Sequence, residues 1–353
     1  MKRGIAAAAG VAALALLLFL FWPGDTGPPR ALAAPGAGID AEPVARFVHH
    51  QGEARAVAFA PDGRWLAATG TDGRIALIRD PRGMIWRTIT HTGGAPALAA
   101  SPDGTMLVSG GYDRAARIWR VADQRQVRAL EGHGGTIWSI AWSPDGRWIA
   151  TAGEDRLIRI WRAADGALVH TLAGHALNIW SVHFSPDSRL LASGSFDRSI
   201  RLWDVERGRL VRRLSGHDQA VVGVAFSPDG RLLASGGDDS TVRIWRVADG
   251  ARLRTLTGGS DHVYAVAFSP DGRWLASGGR ARSALGTFRH QLTGTGGNGP
   301  AVRLWRVADG RLQLTLTHTD DVTALAFSGS GRLLATASSD GSNSIWTLAA
   351  RAP

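Results

Sequence analysis

The chain of 353 residues contains no cysteine. That excludes a disulfide framework and thiolate chemistry. Lysine is almost missing as well: Lys2 is the only one among 40 basic residues, so arginine carries the formal charge of +10. No phosphate-cradling glycine loop, paired-carboxylate motif or metal-ligand spacing is present. Glycine-rich pieces such as Ser277-Gly278-Gly279 read as strand ends, and His49-His50 is a pair without further ligands. No cofactor and no metal are therefore expected.

Long apolar runs are lacking too, with one exception. Ile5 to Trp22 is uncharged and mostly apolar, behind Lys2 and Arg3. A cleaved signal has an apolar run of about 7–15 residues, and a spanning helix needs about 17–25. The run fits the short end of the spanning range. Residues 1–22 are read as an apolar helix acting as a signal anchor. A cleaved signal peptide is the alternative, with Ala31-Leu32-Ala33 as a usable but distant cleavage pattern. In either case the positive end stays in the cytoplasm and the rest is exported, periplasmic or extracellular. Residues 23–42, rich in Pro, Gly and Ala, read as a flexible linker. Abundant alanine and glycine with arginine in place of lysine hint at a GC-rich bacterial genome.

What remains, residues 43–353, is one unit repeated. A turn recurs at Ala60-Pro61-Asp62-Gly63, Ser101-Pro102-Asp103-Gly104, Ser143-Pro144-Asp145-Gly146, Ser185-Pro186-Asp187-Ser188, Ser227-Pro228-Asp229-Gly230 and Ser269-Pro270-Asp271-Gly272, then degenerately at Ser328-Gly329-Ser330-Gly331. The steps are 41, 42, 42, 42, 42 and 59 residues. A period in the low forties points to stacked four-stranded units. Apolar residues alternate on both sides of each turn, as in Val182-His183-Phe184 and Leu190-Leu191-Ala192. The third strand is typified by Ile200-Arg201-Leu202-Trp203, and the fourth by Leu253-Arg254-Thr255-Leu256.

With Gly174-His175, Ser193, Asp197 and Trp203 recurring in register, the chain resembles the WD40 repeat family. The resemblance implies an all-β, seven-bladed propeller acting as a protein-interaction platform. The last copy, Val322 to Trp346, has only three strands. Val44-Ala45-Arg46-Phe47-Val48 aligns with the missing fourth, so an N-terminal strand is expected to close the ring and remove the open edge. A monomer is the expected state.

Five complete polar sets recur: His91, Ser109, Asp113, Trp119; His133, Thr151, Asp155, Trp161; His175, Ser193, Asp197, Trp203; His217, Ser235, Asp239, Trp245; and His318, Thr336, Asp340, Trp346. Ser, His and Asp together suggest a nucleophilic triad. Five copies favour structural hydrogen-bond networks instead, because an enzyme needs only one. Blade 1 keeps His50 and Asp72 but has Ala68 and Ile78. Blade 6 has Gly259 in place of histidine and lacks the aspartate before Trp305.

The resemblance also implies a ligand face at the glycine–histidine loops. Its positions hold Tyr112, Thr136, Trp138, Glu154, Asn178, Trp180, Phe196, Asp238, His262 and Tyr264. The tryptophans suit either interface anchors or packing between blades. The long sixth step places an insertion at about 280–299 in blade 6, with Arg280, Arg282, Phe288, Arg289 and His290; long loops are functional or disordered more often than neutral. Arg117, Arg159, Arg201, Arg243 and Arg303 precede each tryptophan by two residues and are expected to be solvated, protecting the outer strands. The functional reading is a non-catalytic scaffold, tethered at or exported across the membrane, that binds a protein or peptide and no nucleic acid. The alternatives are an exported enzyme working through the central channel and an adaptor gripping anionic envelope material through its arginines.

Overall fold

A computed structural model describes residues 38–79, 84–257, 262–280 and 300–350. The 1–22 segment, the linker up to residue 37, Gly259, and the insertion beyond Arg280, with Arg282, Phe288, Arg289 and His290, lie outside the described residues. Among those described, every element is a strand, and seven four-stranded antiparallel sheets are formed.

Each recurring turn is self-supporting. In blade 3 the Ser143 hydroxyl donates to Asp145 Oδ1 at 2.6 Å and accepts the Trp148 N–H at 2.8 Å. Asp145 also accepts the Arg147 N–H at 3.0 Å, and Gly146 takes φ +76°. The side chains thus meet backbone donors that the reversal would otherwise leave unpaired. In blade 4 Ser188 takes the glycine position at φ 61°, a conformation that favours glycine. Its hydroxyl accepts the Asp145 N–H of blade 3 at 3.1 Å.

The core lies between the sheets. Alanines on second strands, such as Ala150, Ala192 and Ala234, are fully buried, and their small size brings neighbouring sheets together. Ile158 and Ile160 of blade 3 pack with Ile179, Val182, Phe184 and Trp203 of blade 4, and this pairing recurs around the ring. On the inner strands Ser139 accepts the Val182 N–H at 3.0 Å and Ser181 accepts the Val224 N–H at 3.1 Å. On the outer strands a long side chain reaches the next blade's last turn. Arg212 donates to the carbonyls of Ala248 and Asp249, Arg254 to that of Ala308, and the His170 ring bonds the Glu206 carbonyl at 3.0 Å.

The ring closes through β1 (Ile39–Val48), which pairs antiparallel with the last strand, β28 (Ser342–Ala350). The expected residues 44–48 are in this strand, but it begins at Ile39, inside the segment read as linker. Ile39 is fully buried against Trp274, Leu316 and Leu348, and that burial anchors the extension. A bulge between Pro43 and Ala45 accommodates the proline, which has no N–H to donate. A bulge recurs opposite the tryptophan in other blades, as between Ile160 and Trp161. The glycine–histidine loops and the aspartates lie on one face, called upper here. The Ser-Pro-Asp turns and the turns between third and fourth strands lie on the lower face.

Candidate partner-binding face

Blades 3, 4 and 5 carry the polar network in full. The ring of His175 donates from Nδ1 to Asp197 at 2.9 Å, and its Nε2 meets Ser193 Oγ at 2.7 Å. The Trp203 indole N–H donates to the same hydroxyl at 2.9 Å. Corresponding distances are 3.0, 2.8 and 2.8 Å in blade 3, and 2.9, 2.7 and 2.8 Å in blade 5. Burial lowers the His175 pKa against the pull of Asp197. Burial opposes ionisation of Asp197 too, but bonds from His175, Ser199 and the Ala176 N–H hold it well below the usual carboxylate range. A neutral ring donating to an ionised carboxylate satisfies both directions. All three histidine side chains are inaccessible or nearly so.

Two of the five expected sets differ in detail. In blade 2 the ring is turned, with His91 Nδ1 on Ser109 at 2.7 Å and Nε2 on Asp113 at a longer 3.3 Å, while Trp119 still reaches Ser109. In blade 7 the network is broken. His318 keeps Thr336 at 2.8 Å, but its Nδ1 bonds the Leu316 carbonyl. Asp340 is taken by Arg46 of the closing strand at 2.6 Å and by Thr319, and the buried Trp346 N–H has no acceptor. In blade 1 His50 keeps Asp72 at 3.1 Å, but its buried Nε2 is unpartnered opposite Ala68. Blade 6 retains Ser277 bonded to Trp305 at 2.8 Å.

The recurring arginines are not the solvated residues expected. They stand on third strands, and Arg159, Arg243 and Arg303 are buried. Arg117, Arg159 and Arg243 close on Asp113, Asp155 and Asp239 at 2.6, 2.7 and 3.0 Å. They add a fifth member to the network, because the aspartate has acceptor capacity left after the histidine. Arg201 instead lies near the Trp203 ring, and Ser199 supplies Asp197's further bond at 2.6 Å.

At the upper mouth of the channel the first strands of all seven blades surround a cavity of about 570 Å³. Four aromatics from blades 2, 3 and 4 form a continuous series, of which the last three line the cavity. Tyr112 meets Trp138 edge-on at 5.6 Å; Trp138 stacks on Trp180 at 4.5 Å and 17°; Trp180 stacks on Phe196 at 5.1 Å and 12°. Each is half-buried. The tryptophans therefore both pack across blades and line the cavity. Trp138, Trp180, Phe196, Asp238, His262, Tyr264 and Arg280 line it. Tyr112, Glu154 and Asn178 stand back from it. Glu154 accepts the Thr136 N–H at 3.0 Å, and Asn178 offers its carbonyl to the Phe196 N–H.

The other half of the mouth is charged. His262 pairs with Asp238 at 3.1 Å, Arg280 with Asp321 at 3.5 Å, and Arg55 with Glu53. Burial raises the Asp321 pKa, with Asp320 adding to the shift and Arg280 opposing it. Glu53, Arg55, Asp321 and Thr323 are lining residues that the sequence reading did not single out. The signal was available: they hold in blades 1 and 7 the register that Thr136 and Trp138 hold in blade 3.

Fold and mouth together define a β-propeller with a ligand-sized opening and repeated structural networks around it. The chain belongs to the family described as WD domain, G-beta repeat, matched over residues 41–78, 84–120, 124–162, 166–204, 208–246, 250–284 and 310–347. Most matched segments begin with the fourth strand of one blade and run through three strands of the next. None of the curated proteins matches the chain.

Proposed function

We propose that this chain is a non-catalytic scaffold that binds an extended segment of a partner protein across the upper mouth. In this reading residues 1–22 hold it at a membrane, and the propeller stands outside the cytoplasm. The observation that carries the binding reading is the stack of Tyr112, Trp138, Trp180 and Phe196 beside the ion-paired rim. Half-buried aromatics around an opening are typical interface anchors. The charged half supplies direction: carboxylates and guanidinium groups set which end of a segment lies where. We extend the same binding role to the back-row Tyr112, Glu154 and Asn178 and to Arg282, Phe288 and Arg289 of the insertion. Two of the carboxylates at the mouth, Glu53 and Asp321, are paired with guanidinium groups, which suits recognition better than proton transfer.

Trp180→Ala is expected to weaken partner binding about tenfold or more, since truncating a central aromatic commonly costs about 2 kcal/mol. Affinity measured by titration calorimetry, with far-UV circular dichroism to verify the fold, tests this. Wild-type affinity in a folded variant would move the binding surface elsewhere.

A further inference from the structure

The lower edge of the propeller has a feature that folding does not require. Just after the turn between third and fourth strands, six consecutive blades place an apolar side chain in solvent. Ile85, Val127, Leu168, Leu210, Leu253 and Leu312 are between 40% and 50% exposed. They are not part of the inter-blade clusters, whose fourth-strand members are Ile89, Leu130, Leu172, Leu214, Leu256 and Leu316, three or four residues further on. A solvent-facing strand end would ordinarily be polar. Exposed arginines adjoin this band: Arg209 and Arg252 begin two of these strands, and Arg125 and Arg311 immediately precede two others, Arg311 lying 3.7 Å from Asp309. The aspartates of these turns are already engaged, Asp165 by the Ala167 N–H and Arg162, and Asp309 by the Arg311 N–H and Arg306. Arg209 and Arg252 have no carboxylate within ion-pair distance among the described residues.

A third observation selects the occupant. In blade 7 the closing strand runs upward from Ile39, which pairs with Ala350, to Val48, which pairs with Ser342 beside the aspartate loop. The chain preceding Ile39, with its apolar run Ile5–Trp22, therefore joins the propeller at the lower edge, on the same side as the band. We infer that this edge docks on an anionic lipid bilayer. The apolar side chains enter the headgroup region, and the arginines pair with lipid phosphates. Amphipathic surfaces bind bilayers through buried apolar area plus attraction to anionic lipid, and guanidinium forks match phosphate oxygens. The upper mouth would then face away from the membrane. The choice of a bilayer as occupant rests on the tethered reading, whereas the docking contact itself is tested separately from it.

The absence of cysteine makes a direct test simple. Single variants Leu253→Cys and Leu168→Cys on the lower edge, and Leu177→Cys on the upper face, carry an environment-sensitive fluorophore on the full chain. Leu177 is as exposed as Leu168, each at 50%. On vesicles of phosphatidylcholine with phosphatidylglycerol, fluorescence at 253 and 168 should rise about twofold or more. Brominated lipid should quench it, while the label at 177 stays unchanged. Vesicles of phosphatidylcholine alone should give a smaller response. Flotation of the same samples separates this proposal from tethering. Protein that floats with water-like labels at 253 and 168 is tethered without docking, and the proposal fails. Label immersion lost at high salt together with flotation supports docking and removes the anchor reading. Quenching at 177 equal to that at 253 overturns the orientation. Retention on soluble polyphosphate with no lipid response would give the arginines a polymer and overturn the lipid assignment.

Discussion

Blades 3 to 5 and the seam where blade 7 meets blade 1 are built on the same pattern and held in different ways. In blades 3 to 5 a buried histidine ties loop to strand, and its aspartate is satisfied within the blade. At the seam the networks are incomplete: His50 lacks a hydroxyl partner, and His318 has exchanged its aspartate for a carbonyl. The seam is held by strand pairing instead. Asp340 reaches Arg46 across the sheet, and Thr323 Oγ1 donates to the Ala54 carbonyl of blade 1 at 2.7 Å. Local polar networks stiffen a blade made of contiguous chain. Ring closure, which joins residues some 300 positions apart, rests on the sheet itself.

The largest effect should come from removing that pairing. Deleting residues 39–48 exposes the edge of β28 and uncovers the Ile39 and Phe47 contacts. The melting temperature by scanning calorimetry should fall by about 10 °C or more, and light scattering should show self-association through the open edge. A monomer of unchanged melting temperature would show that the seam is held by something else.

Asp197→Ala should come next. It leaves the buried His175 Nδ1 without its acceptor, at a cost of about 1–3 kcal/mol. Asp340→Ala should cost less, about 1 kcal/mol or below, because His318 keeps both its partners and the Arg46 pair is exposed. Urea denaturation of both variants gives the difference, and equal losses would erase the distinction between seam and interior.

The smallest expected effect is a gain. Ala68 is fully buried and pairs with Val57 in the register that Ser109 holds with Leu98. Ala68→Ser supplies the hydroxyl that His50 Nε2 lacks, and should stabilise by about 0.5–1 kcal/mol. A loss in the same urea assay would mean that blade 1 has repacked around the alanine.

Blade number, turn positions and the core of the closing strand were legible in the sequence because their signals are local and repeated. Residues 39–42 were not. Asp40, Glu42 and Pro43 break the apolar alternation, and their partners Thr347 to Ala350 lie at the far end of the chain. The arginines misled for a different reason. A charge two residues before a strand tryptophan reads as outward-facing until the aspartate it meets is placed beside it. Of the candidate site, the positions of Trp138, Trp180 and Phe196 followed from register, but the stacking of Trp138 on Trp180 joins two blades and is not specified by the repeat of either. Glu53, Arg55 and Asp321 share that register, hidden by the degenerate networks of blades 1 and 7.

The closing strand also sets an order of events in time. Ile39–Val48 is the first part of the propeller to be synthesised, and its partner Ser342–Ala350 is the last. For the whole of translation, and of any passage across a membrane, it is an extended segment with no mate. Such a segment invites pairing with other chains unless its sequence resists it. Asp40, Glu42, Pro43 and Arg46 are the residues that would resist, and the proline with its bulge interrupts any foreign ladder near the middle. The features that make this strand hard to read are those that let it wait.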